Sequence, residues 1–194
     1  MFKMSLQKSI LYFNVLGELN TDETLMAAKE RAKQLGINDV VVASTGGATG
    51  LKAVVLFKGY NVVVVRHVTG YKEPGVQKMS EEYSNKIYAN GGKIVTSEHT
   101  FTGGVNKAIE NKFNTVYPAG IMAQTLRLFG EGTKVCLECV AMAADAGEIP
   151  IDKDVIAIAG TNVGADTAMV LKPAGSRRIF DMRVKEIITK PHNP

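Results

Sequence analysis

Asn61 to Val65 contains four consecutive valines. A strand with one wet face alternates apolar and polar residues. An unbroken run belongs to a strand covered on both faces, as in parallel sheets flanked by helices. Val40 to Ala43 and Val155 to Ala159 are short apolar runs of the same kind. Between them, residues at helical spacing alternate with the strand-like stretches. That alternation predicts an α/β fold, an open three-layer sandwich with a mixed, mostly parallel sheet and an antiparallel edge strand.

The expected elements run as follows. Ser9 to Asn14 reads as a short leading strand or an apolar arm. Asn20-Thr21-Asp22-Glu23 has the pattern of a capping box, opening a helix that carries Leu25, Ala28, Ala32 and Leu35 and stops at Gly36. Val40 to Ala43 is a strand, Leu51 to Phe57 a helix, and Asn61 to Val65 a strand. Gln77 to Ala89 is a helix and Lys93 to Thr96 a strand. Val105 to Asn111, Ala119 to Phe129 and Lys134 to Ala146 are helices. Val155 to Ala159 is the next strand. Thr167 to Leu171 and Phe180 to Ile188 follow with no room for a helix between them, so they pair antiparallel or run along an edge. With 194 residues and no internal repeat or linker, the chain is expected to form a single domain over 1–194.

Net charge is +4, and the basic residues are dispersed and interrupted by acidic ones, with no basic stripe interleaved with aromatics. Nucleic acid is therefore not an expected partner. No apolar run approaches the roughly 20 residues of a membrane span. Two cysteines make no disulfide framework, and Lys3, Gln7 and Lys8 break up any signal-like core. A reducing, cytoplasmic location is the default expectation. Whether the chain forms a homo-oligomer stays open.

In an open α/β sheet, ligands bind beyond the carboxyl ends of the strands. After the first parallel strand come Ser44, Thr45, Gly46, Gly47, Thr49 and Gly50. After the second come His67, Thr69, Gly70 and Tyr71, and after the third His99, Thr100 and Thr102. After the fourth come Gly160, Thr161, Asn162, Gly164 and Asp166. The segment from Asp39 to Gly50 joins an apolar strand, a small-residue turn and a helix start, the parts that hold an anion on backbone N–H groups. His67 and His99 are candidate catalytic residues, as a proton donor and acceptor or as anion-binding imidazoliums. No acidic residue completes a metal site with them.

Cys136-Leu-Glu-Cys139 has C-x-x-C spacing but lies inside a helix rather than at the N-terminus where a thiol is activated, so it reads as packing. Glu138 and Asp145 share a helical face and suit ligand-facing, capping or ion-pair roles. The Ser44–Gly50 segment lacks the Gly-Lys-Ser/Thr ending of a Walker loop, so ATP hydrolysis is not supported and a monophosphate is the expected anion.

Several motifs in order carry a family resemblance. They are Val41-Val42-Ala43-Ser44-Thr45-Gly46-Gly47, His67-Val68-Thr69-Gly70-Tyr71, Glu73-Pro74-Gly75, Leu126-Arg127 with Phe129-Gly130, and Lys134-Val135-Cys136. They continue in Met142-Ala143, Asp145-Ala146-Gly147 and Gly160-Thr161 with Gly164-Ala165-Asp166-Thr167-Ala168; Glu98 to Val105 matches more loosely. The chain resembles a stand-alone archaeal and bacterial family similar to the C-terminal α/β domain of pyruvate kinase. That resemblance implies a five-stranded sheet whose last strand is antiparallel, with the Ser44–Gly50 and Gly160–Asp166 loops side by side. It implies no kinase activity, because the catalytic barrel is not part of it. It further implies FMN as the bound cofactor, with Ser44, Thr45, Gly46, Gly47 and Thr49 on the phosphate. Gly160, Thr161 and Gly164 would line the ribityl chain or ring, with Tyr71, Phe101 and methionines flanking the isoalloxazine. Alternatives are a regulatory module that senses a sugar phosphate, and a small His-dependent hydrolase or lyase.

Overall fold

The computed structural model describes residues 5–194. Its strands are β1 (Leu11–Phe13), β2 (Asp39–Ala43), β3 (Asn61–Arg66), β4 (Lys93–Thr96), β5 (Val155–Ala159), β6 (Thr167–Lys172) and β7 (Arg183–Pro191). The helices are α1 (Thr21–Leu35), α2 (Ala48–Leu56), α3 (Glu81–Ala89), α4 (Gly104–Phe113), α5 (Pro118–Arg127) and α6 (Glu131–Asp145), with short 3-10 turns at Glu18–Asn20 and Ser176–Asp181. All seven strands form one sheet in the order β1-β7-β6-β5-β2-β3-β4.

The valine runs behave as their lack of alternation requires. In β2 and β3, Val40, Val42, Val62 and Val64 pack on one face of the sheet with Leu25, Ala28 and Ala32 of α1, Ala53 and Val54 of α2, and Ile87 of α3. Val41, Val63 and Val65 pack on the other face with Cys136, Cys139, Val140 and Ala143 of α6. Ile156 and Ile158 of β5 face the first layer, and Val155 and Ala157 the second. The two cysteines are free, buried thiols among these side chains, and burial pushes both of their pKa values up.

The sheet is wider than the expected five strands, and its antiparallel strand does not lie at the edge. β6 runs antiparallel to both neighbours, β5 and β7, while every other pair is parallel. The tight return through Ser176–Asp181 brings β7 back along β6, with two register irregularities. The leading segment then adds as β1, parallel to β7 with Leu11 opposite Thr189. The last strand also starts later than expected, because Phe180 belongs to the 3-10 turn.

Helix starts also differ from the sequence reading: α2 begins at Ala48 and α6 at Glu131, three residues before the expected Leu51 and Lys134, and α1 and α3 differ in their caps. Asn20 makes no capping bond; its backbone is already helical at the end of Glu18–Asn20, and its side chain donates to the Val15 carbonyl at 2.8 Å. α3 begins at Glu81 rather than Gln77, because Ser80 caps it by accepting from the Tyr83 N–H at 3.3 Å. Gln77 instead braces the preceding loop, donating to the His67 carbonyl at 3.0 Å and to Thr69 Oγ1 at 3.3 Å.

Candidate functional site

The carboxyl ends of β2, β3, β4 and β5 share one edge. From β2 the chain moves outward to β3 and β4, then returns to place β5 on the other side of β2. The order therefore reverses between β2 and β5, and the turns that leave these two strands flank the switch point.

The turn after β2 is built around an inward hydroxyl. The Ser44 N–H donates to the Val65 carbonyl at 2.9 Å, which prolongs the β2–β3 pairing by one residue. Buried Ser44 Oγ then accepts from the Gly50 N–H at 3.0 Å, closing the turn onto the first coil of α2. Gly47 has φ of +100°, and a Cβ there would stand 2.5 Å from Cβ of Tyr83, so a glycine is required for the turn to approach α3. Gly46, by contrast, has open space where a Cβ would be. The Ala48 and Thr49 amides find no acceptor among the described residues, the ordinary state of the first N–H groups of a helix. Thr49 itself is buried.

The ends of β3 and β4 bring three rings together. His67 and His99 lie with centroids 4.9 Å apart and edge-on. Tyr71 packs against His67 at 4.2 Å and stacks on His99 at 5.4 Å and 16°. Nε2 of His67 lies 3.1 Å from Thr45 Oγ1, linking the ring cluster to the β2 turn. Burial, reinforced by the neighbouring His99 and Lys78, pushes the His67 pKa down to about 4, so its ring is neutral at physiological pH. Thr69 and Gly70 shape the loop: the Gly70 N–H donates to the Val76 carbonyl at 2.9 Å. Thr100 is half-buried in the bend after β4.

Behind these rings lies a buried charged network. Glu138 of α6 is 1% exposed, and Lys134, one turn earlier, is 2% exposed. Glu138 Oε1 accepts from the N–H groups of Phe101 and Thr102 at 2.8 and 3.2 Å, and from the Thr102 hydroxyl at 3.4 Å. Its Oε2 pairs with Lys134 and with Nδ1 of His99 at 3.4 Å. Lys134 also donates to Thr102 Oγ1 at 3.0 Å. Burial alone would push the Glu138 carboxyl up, but the His99 hydrogen bond and the Lys134 charge outweigh it and hold the pKa at about 2. A buried ion pair is tolerated when its remaining donors and acceptors are satisfied, as here, and this one fixes the His99–Thr102 bend onto α6. The sequence carried one signal for it, a Lys–Glu pair at i, i+4 on the apolar face of α6. Phe101 is 2% exposed, so its ring belongs to the interior beneath the cluster.

The turn after β5 directs its buried carboxylate and the N–H groups of Thr161 and Ala165 inward. Asp166 is fully buried; its Oδ2 accepts from the Gly17 and Thr161 N–H groups at 2.9 and 3.1 Å, and its Oδ1 from the Thr167 hydroxyl at 2.7 Å. The Ala165 N–H donates to Thr21 Oγ1 at 3.0 Å, and Thr24 donates to the Ala165 carbonyl at 3.3 Å. Gly164, at φ of +78°, sits so close to the Glu18–Thr21 turn that a Cβ would stand 2.5 Å from Cα of Glu18. Gly160 lies in the same turn; a Cβ there would meet Gly164 and Ala165. Gly17 and Thr21 escaped the sequence reading because their partners lie about 145 residues away. Asp145, on α6, caps the Ser176–Asp181 turn by accepting from the Ser176 N–H at 2.9 Å.

A depression of about 590 Å³ opens between α1 and α2, lined by Leu25, Met26, Leu51, Val55 and Tyr83 and reaching Ala48 at the α2 start. Its cation, Lys52, is paired with Asp22 at 2.7 Å. No helix among the described residues is long and apolar enough to cross a membrane.

The sequence model of the pyruvate kinase alpha/beta domain matches residues 22–171, which spans α1 through β6 and takes in both turns at the switch point. With the mostly parallel three-layer sheet, that match over most of its length makes the chain a member of the pyruvate kinase alpha/beta domain family.

Proposed function

We propose that the protein binds a phosphorylated small molecule without pyruvate kinase activity, with the phosphate at the turn after β2, and that FMN is this ligand. The observation that carries the reading is the pair of unpartnered N–H groups at the end of that turn. Ala48 and Thr49 amides, the Thr45 hydroxyl and the open space beside Gly46 all lie at the start of α2, where the helix dipole favours an anion. Thr45, Gly46, Gly47 and Thr49 are the contacts, with Ser44 setting the shape of the turn from within.

The residues fit the phosphate end of FMN. For the ring end, Tyr71 and His99 at 5.4 Å leave no slot, since an inserted ring needs about 7 Å between its neighbours. The isoalloxazine would therefore lie against the accessible edges of Tyr71 and His99 rather than between them. When bound, FMN supplies one- or two-electron redox chemistry; the chain's own part is to anchor the phosphate and present Tyr71, His67 and His99 beside the ring.

The test is optical and competitive. The purified protein and its heat-released supernatant are scanned in the visible range, then the ligand-stripped protein is titrated with FMN, riboflavin, glucose 6-phosphate and inorganic phosphate. Uptake of FMN well above riboflavin supports the reading. Binding of glucose 6-phosphate but not FMN keeps the anchor and replaces the flavin with a sugar phosphate. If none of the phosphorylated probes binds, the anchor itself is wrong.

A further inference from the structure

His67 and His99 each have one polar side-chain partner among the described residues, and the two contacts differ in kind. His99 directs Nδ1 at Oε2 of Glu138, a buried carboxylate that can only accept, so Nδ1 carries a proton. In the neutral ring that leaves Nε2 bare. Nε2 of His99 has no partner among the described residues and is not among their buried, unpartnered atoms, so it is open to a ligand.

His67 is set the other way. Its Nδ1 is the one buried side-chain nitrogen or oxygen among the described residues with no hydrogen-bond partner, while Nε2 meets Thr45 Oγ1. An orphaned buried N–H is rarer and more costly than an under-used acceptor. The proton therefore belongs on Nε2, which donates to Thr45. Thr45 then accepts from His67, and its own hydroxyl proton points outward.

Resting on the phosphate-anchor reading above, we infer that the site has a fixed polarity. Thr45, steadied by His67, donates to the ligand oxyanion, and His99, steadied by Glu138, accepts from an N–H or O–H group further along the same ligand. The ligand class is then a phosphomonoester with a hydrogen-bond donor beyond its ester oxygen. FMN meets the requirement through the imide N–H of its ring, and simple alkyl phosphates do not. His67 and Glu138 are positioning residues; Thr45 and His99 are the groups that touch the ligand.

Long-range ¹H–¹⁵N correlation of the histidine rings in the full-length protein reads the two tautomers without any ligand. His67→Phe and His99→Phe spectra assign the signals. The expected result is an Nε2–H ring for His67 and an Nδ1–H ring for His99. A His67 ring protonated on Nδ1 would overturn the inference, since bare Nε2 would then accept the Thr45 hydroxyl hydrogen bond and leave Thr45 no proton to give the ligand. Titrations then test the ligand class: His99→Phe should weaken FMN at least tenfold and leave inorganic phosphate within twofold. Equal losses for both probes would also overturn it. Failure of the wild-type protein to bind either probe sinks the anchor reading, while the tautomers remain measurable, so the two failures are distinct.

Discussion

The turns after β2 and β5 are written in nearly the same residues, Ser-Thr-Gly-Gly and Gly-Thr-Asn-Val-Gly, and they leave adjacent strands at the same edge. Their hydrogen bonds have opposite destinations. After β5, Asp166 and Ala165 are tied to Gly17, Thr21 and Thr24, and Thr161 to Asp166, so the turn clamps the start of α1 to the sheet. After β2, Ser44 and Gly50 bond to each other and Thr45 Oγ1 meets Nε2 of His67, while the Ala48 and Thr49 N–H groups at the α2 start stay available. A glycine in such a turn answers either to a close backbone neighbour or to a ligand, and composition alone does not separate the two.

Mutations in the β5 turn should strike stability hardest. Asp166→Ala leaves two N–H groups and a hydroxyl without their buried partner and should cost about 3–5 kcal/mol in a urea melt. Gly164→Ala combines a left-handed backbone with a clash against Glu18 and Thr21 and should cost about 3 kcal/mol. A near-neutral result for either would place the β5 turn in the same class as the β2 turn.

Acid titration comes next in size and addresses the ring cluster beside the β2 turn. The folded His67 pKa of about 4 lies below the ordinary value of 6.5, so folding disfavours its protonation. The resulting penalty is absent above pH 6.5, grows as pH falls and is complete below pH 4. Discounted for the partial exposure of the ring, it amounts to about 2 kcal/mol. Glu138, held at about 2 against 4.5, stabilises above pH 4.5 and loses that contribution as pH falls toward 2. Stability measured from pH 7 to 4.5 should therefore decline in the wild type and flatten in His67→Phe; identical slopes would contradict the neutral, buried assignment.

In the β2 turn the effects should move from stability to binding. Thr45→Val takes away the one hydrogen-bond partner of the His67 ring and should cost about 1 kcal/mol in the melting curve, while weakening FMN or phosphate roughly tenfold, the worth of one hydrogen bond to a charged group. Gly46→Ala, with open space at its Cβ, is expected to change stability least of all, by less than about 0.5 kcal/mol. A large destabilisation by either would mean that this turn, too, is a structural clamp.

Most of the architecture was legible along the chain because it depends on local pattern. Valine runs without alternation specify strands covered on both faces, and helical spacing with Gly36 and Pro118 marks where helices stop and start. The capping box failed because a preceding 3-10 turn had already made Asn20 helical, a competition between neighbours that four residues do not disclose. The placement of β6 inside the sheet was hidden because a strand's neighbours depend on pairings such as Leu11 with Thr189.

The sequence by itself therefore determined the class of fold, the sheet edge that gathers hydroxyls, glycines and His67 and His99, and the glycine-rich turn before α2. Only the tertiary structure decided which of those polar groups are spent. It sank Asp166 under the α1 start, drew Lys134 and Glu138 into the interior behind His99, and left Thr45 beside His67. The physical reason is that periodicity is local, whereas hydrogen-bond satisfaction is settled between residues 22 to 149 positions apart.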